Sequence, residues 1–499
     1  MKKKNEIILL FLIVAFGAFL RFYNLGGPSF FNDELETVRV ASYGTLSEMF
    51  TEGIIPDVHP PGFLILEYFI VHNIGDSEFW TRLPMAIVGI LAILMIFILG
   101  RYFYSIREGL IAAAITTVLW APLFYSQEAR SHSMIFLLAM IATYYWTKII
   151  NSYKNDSKPK TIWIISYIIT AIICEYTHYL ILFFIVLQGV STILIFFRTP
   201  KYLMRFLVIF IIIAIAFLPW LPYALDHFAN TPEWIKKPKM AAFLYFLAFL
   251  YNLSPYVLGI ALLSYLLLLK NVIKKGFYKH NFFMSQDLFL LIWFLVPFFI
   301  IYFKSIISAP TLTNYGLLFS APAAYILFAR GITTLKVNIK FQNIIAVIVF
   351  IFIGWQLIFQ YNYYSEPYKD HLVVFGKKFN KRTRQMFREA AQYVKTNDEK
   401  YENSIIAAYA WFPDYFNYYF DKIGYDRKVD LHVLDSKDTV KFEDLSAYPD
   451  KDYIWVVRGH KEVDTAYYDW MKKRFELIHH EPMIGADVHI YKIEQKFNN

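Results

Sequence analysis

Between residues 7 and 359 the chain is an almost unbroken succession of apolar runs, more than a water-soluble fold could bury. A helix needs roughly 20 apolar residues to cross the hydrocarbon core of a bilayer. Runs of this kind occupy 7–20, 83–103, 109–125, 134–150, 162–176, 180–197, 206–225, 241–269, 288–303, 315–328 and 344–359. They predict eleven membrane-spanning helices. Composition agrees, with 57% hydrophobic and 18% charged residues against roughly 45–50% apolar and 25% charged in soluble domains. The wealth of Phe, Tyr and Trp suits rings that anchor at membrane interfaces.

One apolar segment, 59–74, is ambiguous: it opens His59-Pro60-Pro61 and carries Glu67 and His72. If it crossed, every later loop would change sides. The loops with Arg101/Arg107, Lys148/Lys154/Lys158/Lys160, Arg198/Lys201/Arg205, Lys270/Lys274/Lys275/Lys279 and Arg330/Lys336/Lys340 share one side only if it does not. The positive-inside rule makes that side cytosolic. Segment 59–74 is therefore expected to lie in the outer interface, where Glu67 escapes the roughly 2.5–3.5 kcal/mol that a charge costs at membrane depth. The N-terminus, with Lys2 to Lys4 ahead of an uncleaved first span, is placed in the cytosol. The loop 23–82 and the tail fall outside.

The formal net charge of +9 does not indicate nucleic-acid binding. From Tyr361 onward there are 22 Lys+Arg and 23 Asp+Glu, which leaves 27 basic against 17 acidic residues in the apolar part. The excess is that of cytosolic loops. Residues 1–361 are read as a membrane domain and 362–499 as a small extracytosolic α/β domain, with a helix at 387–395 and strands at 404–409, 453–457 and 488–493. The single cysteine, Cys174, excludes an internal disulfide.

Polar residues gather at one side of this arrangement. Asn32-Asp33-Glu34 opens an amphipathic stretch, and acids there also suit a helix start. Glu128 and Arg130 close the third span, and taken alone would be an ordinary ion pair. His178 lies in Glu175-Tyr176-Thr177-His178-Tyr179, and a lone histidine there is more often a satisfied interfacial residue than a ligand. Together they place carboxylates at Asp33, Glu34 and Glu128, cations at Arg82, Arg130 and Lys304, and histidines at His59, His132 and His178 on one face. A divalent metal stays open as a cofactor, yet no H-E-x-x-H spacing occurs, and no phosphate-binding glycine loop supports a nucleotide.

The succession Arg21, Asp33-Glu34, His59-Pro60-Pro61, Arg82-Leu83-Pro84, the 125–130 segment, Tyr176-Thr177-His178-Tyr179 and Leu218-Pro219-Trp220 resembles the GT-C membrane glycosyltransferases. Within them it is similar to the family 39-like branch of protein O-mannosyltransferases and lipid A aminoarabinose transferases. Two departures stand out. Members often carry Arg before Tyr where this chain has Asn314-Tyr315, and Met-Tyr where it has Ser131-His132.

The resemblance implies sugar transfer from a polyprenyl-phosphate donor to a lipid, protein or polysaccharide hydroxyl outside the cytosol. A lipid-borne donor also suits an outward-facing enzyme, because nucleotide sugars stay in the cytosol. Asp33 is the expected general base, with Glu34 second. Arg130, with Lys304 or Arg82, is expected on the donor phosphate, and His59, Glu128, His178 and Tyr315 complete the candidates. A secondary transporter or flippase for a lipid-linked or anionic solute is the alternative, although such folds usually show repeated, matching helix breaks. A membrane anchor for a binding tail leaves the many spans unexplained.

Overall fold

A computed structural model describes residues 3–229, 235–274, 286–364, 371–374, 377–380, 385–410, 412–433, 451–459 and 465–493. Eight of its helices are each long and apolar enough to cross a membrane, among them Lys4–Phe22, Glu78–Phe103, His132–Lys154 and Gln286–Ile307. The pair Ala242–Leu250 and Pro255–Leu269 makes a ninth, bent by 99° at its break. Two further expected spans are short: Thr161–Glu175, and Ile106–Val118 followed by Trp120–Tyr125. The chain is a polytopic helical membrane protein. Lys275 and Lys279, placed in the cytosol by charge, lie outside the described residues.

The breaks have local causes. Leu119 adopts an extended conformation that ends Ile106–Val118. The side-chain oxygen of Asn252 accepts from the Trp120 amide at 2.7 Å, so the freed donor is not left bare. Asn252 itself has a left-handed backbone (φ 61°) and is fully buried in the bend before Pro255. Its Nδ2 donates to the Ile353 carbonyl, and its own carbonyl accepts from the Tyr361 hydroxyl. Irregular backbone at membrane depth persists only where protein satisfies it in this way.

Segment 59–74 forms the helix Pro61–Asn73, started by a proline that needs no amide donor. At 13 residues it is about 20 Å long, too short for a hydrocarbon core of about 30 Å. Its Glu67 departs from expectation. The side chain is fully buried instead of reaching solvent, and among the described residues neither carboxylate oxygen has a hydrogen-bond partner. Burial, and then the charge of Glu34, push its carboxyl well above the usual range, which favours the neutral acid.

The tail carries a hairpin of β1 (His371–Val374) and β2 (Lys377–Asn380). It also carries a five-stranded mixed sheet of β3 (Ser404–Tyr409), β4 (Leu431–Val433), β5 (Tyr453–Arg458), β6 (Glu476–Glu481) and β7 (Val488–Lys492), in spatial order β4-β3-β5-β7-β6. The three strands read from sequence are β3, β5 and β7, the continuously buried ones; β6 is largely exposed and gives no apolar signal. One sheet face packs on Phe387–Asn397 and Asp414–Lys422. The same cluster takes in Phe30, Leu35 and Val38 from the loop after the first span. Tail and first loop therefore share one end of the bundle.

Candidate active site

The first-loop helix Asn32–Ala41 is set in place by its third residue, Glu34, whose side chain is fully buried. Arg82, from the start of Glu78–Phe103, meets it as a two-pronged pair: Nε to Oε1 at 2.8 Å and Nη2 to Oε2 at 2.7 Å. Glu34 also accepts from the Ala129 amide at 2.9 Å and the Phe31 amide at 3.3 Å. The remaining N–H groups of Arg82 go to the carbonyls of Leu25, Pro28 and Ser29. All five of its donors are thus engaged within the protein.

Asp33, one residue earlier, is half-buried and differently placed. Among the described residues its carboxylate accepts only from Asn32 Nδ2, at 3.3 Å, so most of its lone pairs stay available. Its backbone carbonyl accepts from Arg130 Nη1 at 3.3 Å, and Arg130 also donates to Thr37 Oγ1 at 3.3 Å. The other prong, Nη2, lies 2.8 Å from Nε2 of His59. The structure thus brings together Asp33, Arg130 and His59, from three separate segments.

Aromatic rings wall this cluster. His132 packs edge-on against Tyr125 at 5.0 Å and lies 4.7 Å from Tyr315 and 6.0 Å from His178, centroid to centroid. Tyr315 is near enough to Asp33, Arg130 and Glu128 for their charges to act on its hydroxyl. Glu128 is buried beside Tyr125. Burial first, and then His59 and Arg130, push His178 down to about 3, so it stays neutral. Lys304 is placed elsewhere: its ammonium donates to the Ala309 carbonyl at 2.8 Å and sits over Phe228, with no contact to Arg130 among the described residues. Nor, among those residues, are any three His, Cys, Asp or Glu side chains grouped as metal ligands.

Two contributors escaped the sequence reading. Asp57, two residues ahead of His59, meets its Nδ1 at 2.8 Å; the Asp-x-His spacing was the only signal. Gln127 donates to the carbonyls of Leu20, Arg21 and Tyr23 and accepts from Tyr363, which ties the end of the first span to the third and to the segment leading into the tail.

No family model matches the chain, and neither does any curated protein sequence. Solved structures do. ArnT from Cupriavidus metallidurans in the apo state matches with a TM-score of 0.58 at 11% identity, over 96% of this chain and 97% of that one. The same protein bound to undecaprenyl phosphate gives 0.56 at 12% identity, over the same shares. This chain has the GT-C fold. The Archaeoglobus fulgidus oligosaccharyltransferase in the apo form also shares it, with a TM-score of 0.52 at 13% identity over 91% of this chain and 70% of that one. At 96% of this chain, the ArnT match includes most of the tail.

The environments of the two adjacent acids predict opposite responses to mutation. Glu34→Ala strands the buried Arg82 charge and should cost about 3–5 kcal/mol of stability. Asp33→Ala, with one weak acceptor bond to lose, should stay within about 1 kcal/mol. Thermal unfolding of the purified variants in detergent reads both.

Proposed function

We propose that the protein is an inverting membrane glycosyltransferase, moving a hexosyl or pentosyl unit from a polyprenyl-phosphate donor to an acceptor hydroxyl on the extracytosolic side. The juxtaposition of Asp33 and Arg130 carries this reading. A carboxylate with free lone pairs stands on a helix start immobilised by Glu34 and Arg82, and a guanidinium is tethered to that residue's own backbone. The GT-C fold supports the reading, as does a structural relative that binds undecaprenyl phosphate.

In this mechanism Asp33 takes the proton of the acceptor hydroxyl as its oxygen attacks the anomeric carbon, opposite the phosphate. The bond from that carbon to the phosphate oxygen breaks, and the electron pair stays with the phosphate. Inversion follows. The lipid phosphate is a stable anion and needs no general acid; Arg130 meets its growing charge with charge-assisted hydrogen bonds. His59 stands beside Arg130 at the phosphate end, and Tyr125, His132 and Tyr315 form a wall on which an apolar sugar face can rest. Glu128 and His178 are neighbours of that wall, through Tyr125 and His132. Arg82 and Glu34 act by positioning, since their hydrogen bonds are spent on each other and on the loop. Lys304, bonded to the Ala309 carbonyl and lying over Phe228, takes no part at Arg130.

On this reading the boundary after Tyr361 divides a transferase part from an accessory tail, and the packing of the tail on Phe30, Leu35 and Val38 of the first loop supports a role for it near the acceptor. Transport of a lipid-linked solute finds little support: among the described residues one apolar helix pair is bent by more than 40°, and the other break, at Leu119, is an extended residue between two short helices.

Turnover of a radiolabelled polyprenyl-phosphate sugar, read as released polyprenyl phosphate, tests the assignment. Asp33→Asn keeps the shape but cannot take a proton, and should lower the rate by about 10² to 10⁴ with donor binding retained. Arg130→Ala should weaken donor binding as well as slow transfer; unchanged affinity and rate would reduce Arg130 to an interfacial ion-pair residue.

Orientation has its own test. In a Cys174→Ala background, cysteines at Gly44 and Glu402 should react with a membrane-impermeant thiol reagent on intact cells, and one at Asn155 should not. Labelling at Asn155 without labelling at Gly44 would place the site in the cytosol and remove the need for a lipid-borne donor.

A further inference from the structure

The loop ahead of Pro61–Asn73 holds a carboxylate that the mechanism above does not use. Asp57 Oδ2 lies 2.8 Å from Nδ1 of His59, and Nε2 of the same ring lies 2.8 Å from Arg130 Nη2. A guanidinium can only donate, so Nε2 is the accepting nitrogen and the hydrogen sits on Nδ1, where Asp57 accepts it. Burial alone would lift the Asp57 carboxyl, but His59 and Arg130 outweigh it and hold the group well below the usual carboxylate range. Asp57 is therefore a fixed anion, and the ring is held in one tautomer. The His59 side chain is 34% exposed, so water reaches it.

We propose that Asp57 is a positioning residue that makes His59 a proton-gated partner of the phosphate: a phosphomonoester at Arg130 binds with uptake of one proton at His59 Nε2. The proposal rests on the transferase reading and specifies what happens at its phosphate end. The donor is a phosphodiester with one negative charge, whereas the polyprenyl phosphate left after transfer is a monoester carrying close to two near neutral pH. One guanidinium matches the first state and falls short of the second. When the monoester draws the Nη2 hydrogen of Arg130 to itself, the Nε2 lone pair is released and takes a proton from water. The resulting imidazolium lies between Asp57 and the phosphate oxygens, and no covalent bond or electron balance is altered.

Among the described residues, Arg130, His132 and His178 also interact with the ring, and Asp33 shares its Arg130 partner. Arg130 is permanently charged. Asp33 belongs to the acceptor side of the reaction. His178 is held neutral, as described above. His132 is covered by Tyr125 and Tyr315. His59 alone combines access to water with an anion fixed behind it.

The experiment is calorimetric titration of the full-length protein in detergent with undecaprenyl phosphate, in pairs of buffers of different ionisation enthalpy, from pH 5.5 to 8.5. Above about pH 7 the ligand is mostly dianionic, so protons taken up there enter the protein. Wild type should take up close to one proton per bound monoester at the upper end of its transition, and none with a dialkyl phosphodiester. His59→Gln should bind without uptake. Asp57→Asn can still accept from Nδ1 but lacks the charge, and should move the uptake at least about one pH unit lower. Uptake that persists in His59→Gln belongs to His132 or His178 and overturns the proposal, as does an unmoved transition in Asp57→Asn. Should His59→Gln fail to fold, Asp57→Asn decides alone. Binding of the monoester without proton uptake removes this inference and leaves the transferase reading standing. Absence of binding at every pH removes both.

Discussion

Everything at the candidate site hangs on the buried pairing of Glu34 with Arg82. Two charges taken wholly out of water are costly unless every lone pair and donor finds a partner, and here each does. The pair joins the first-loop helix to the second spanning helix. Through the Ala129 amide it also holds the turn that carries Glu128 and Arg130. Asp33 and Arg130 therefore inherit their separation from an interaction in which neither takes part. The doublet of acids divides its labour: one carboxylate is used up in fixing the position of the other.

A second constraint comes from the tail. Gln385 accepts from the Asn32 amide through its side chain and from the Ser29 hydroxyl through its carbonyl, while Tyr419 accepts from the Phe30 amide and donates to Glu78. Tyr415 donates to Glu36, on the face of the helix away from Glu34. The helix bearing Asp33 is thus clamped between membrane helices below and the C-terminal sheet above. Deleting the tail would expose Phe30, Leu35 and Val38.

Much of the architecture was legible because a bilayer accepts few solutions: long apolar runs become helices. The 59–74 segment was read as interfacial from loop charge and polarity, and it forms a helix of 13 residues, but its Glu67 is buried without a hydrogen-bond partner and not exposed. The kinks at Leu119 and Asn252 were only partly legible, since Pro255 announces one and nothing announces an extended leucine. The site was readable as a list of residues and not as a set of pairs. Glu34 and Arg82 are 48 positions apart, so which acid of the Asp33-Glu34 doublet would be consumed could not be seen. Asp57 was passed over because an Asp-x-His spacing in a loop is a weak signal, and it gains meaning only when Arg130, 71 positions beyond His59, fixes which ring nitrogen accepts.

The central claim is that Asp33 and Arg130 address opposite faces of one anomeric carbon, a single displacement with no covalent sugar–enzyme intermediate. NMR of the product formed from a donor of defined anomeric configuration tests this directly. The account predicts a product of inverted configuration throughout. A product that retains the donor's configuration would require two displacements and a nucleophile on the enzyme, and would contradict the roles given to both residues.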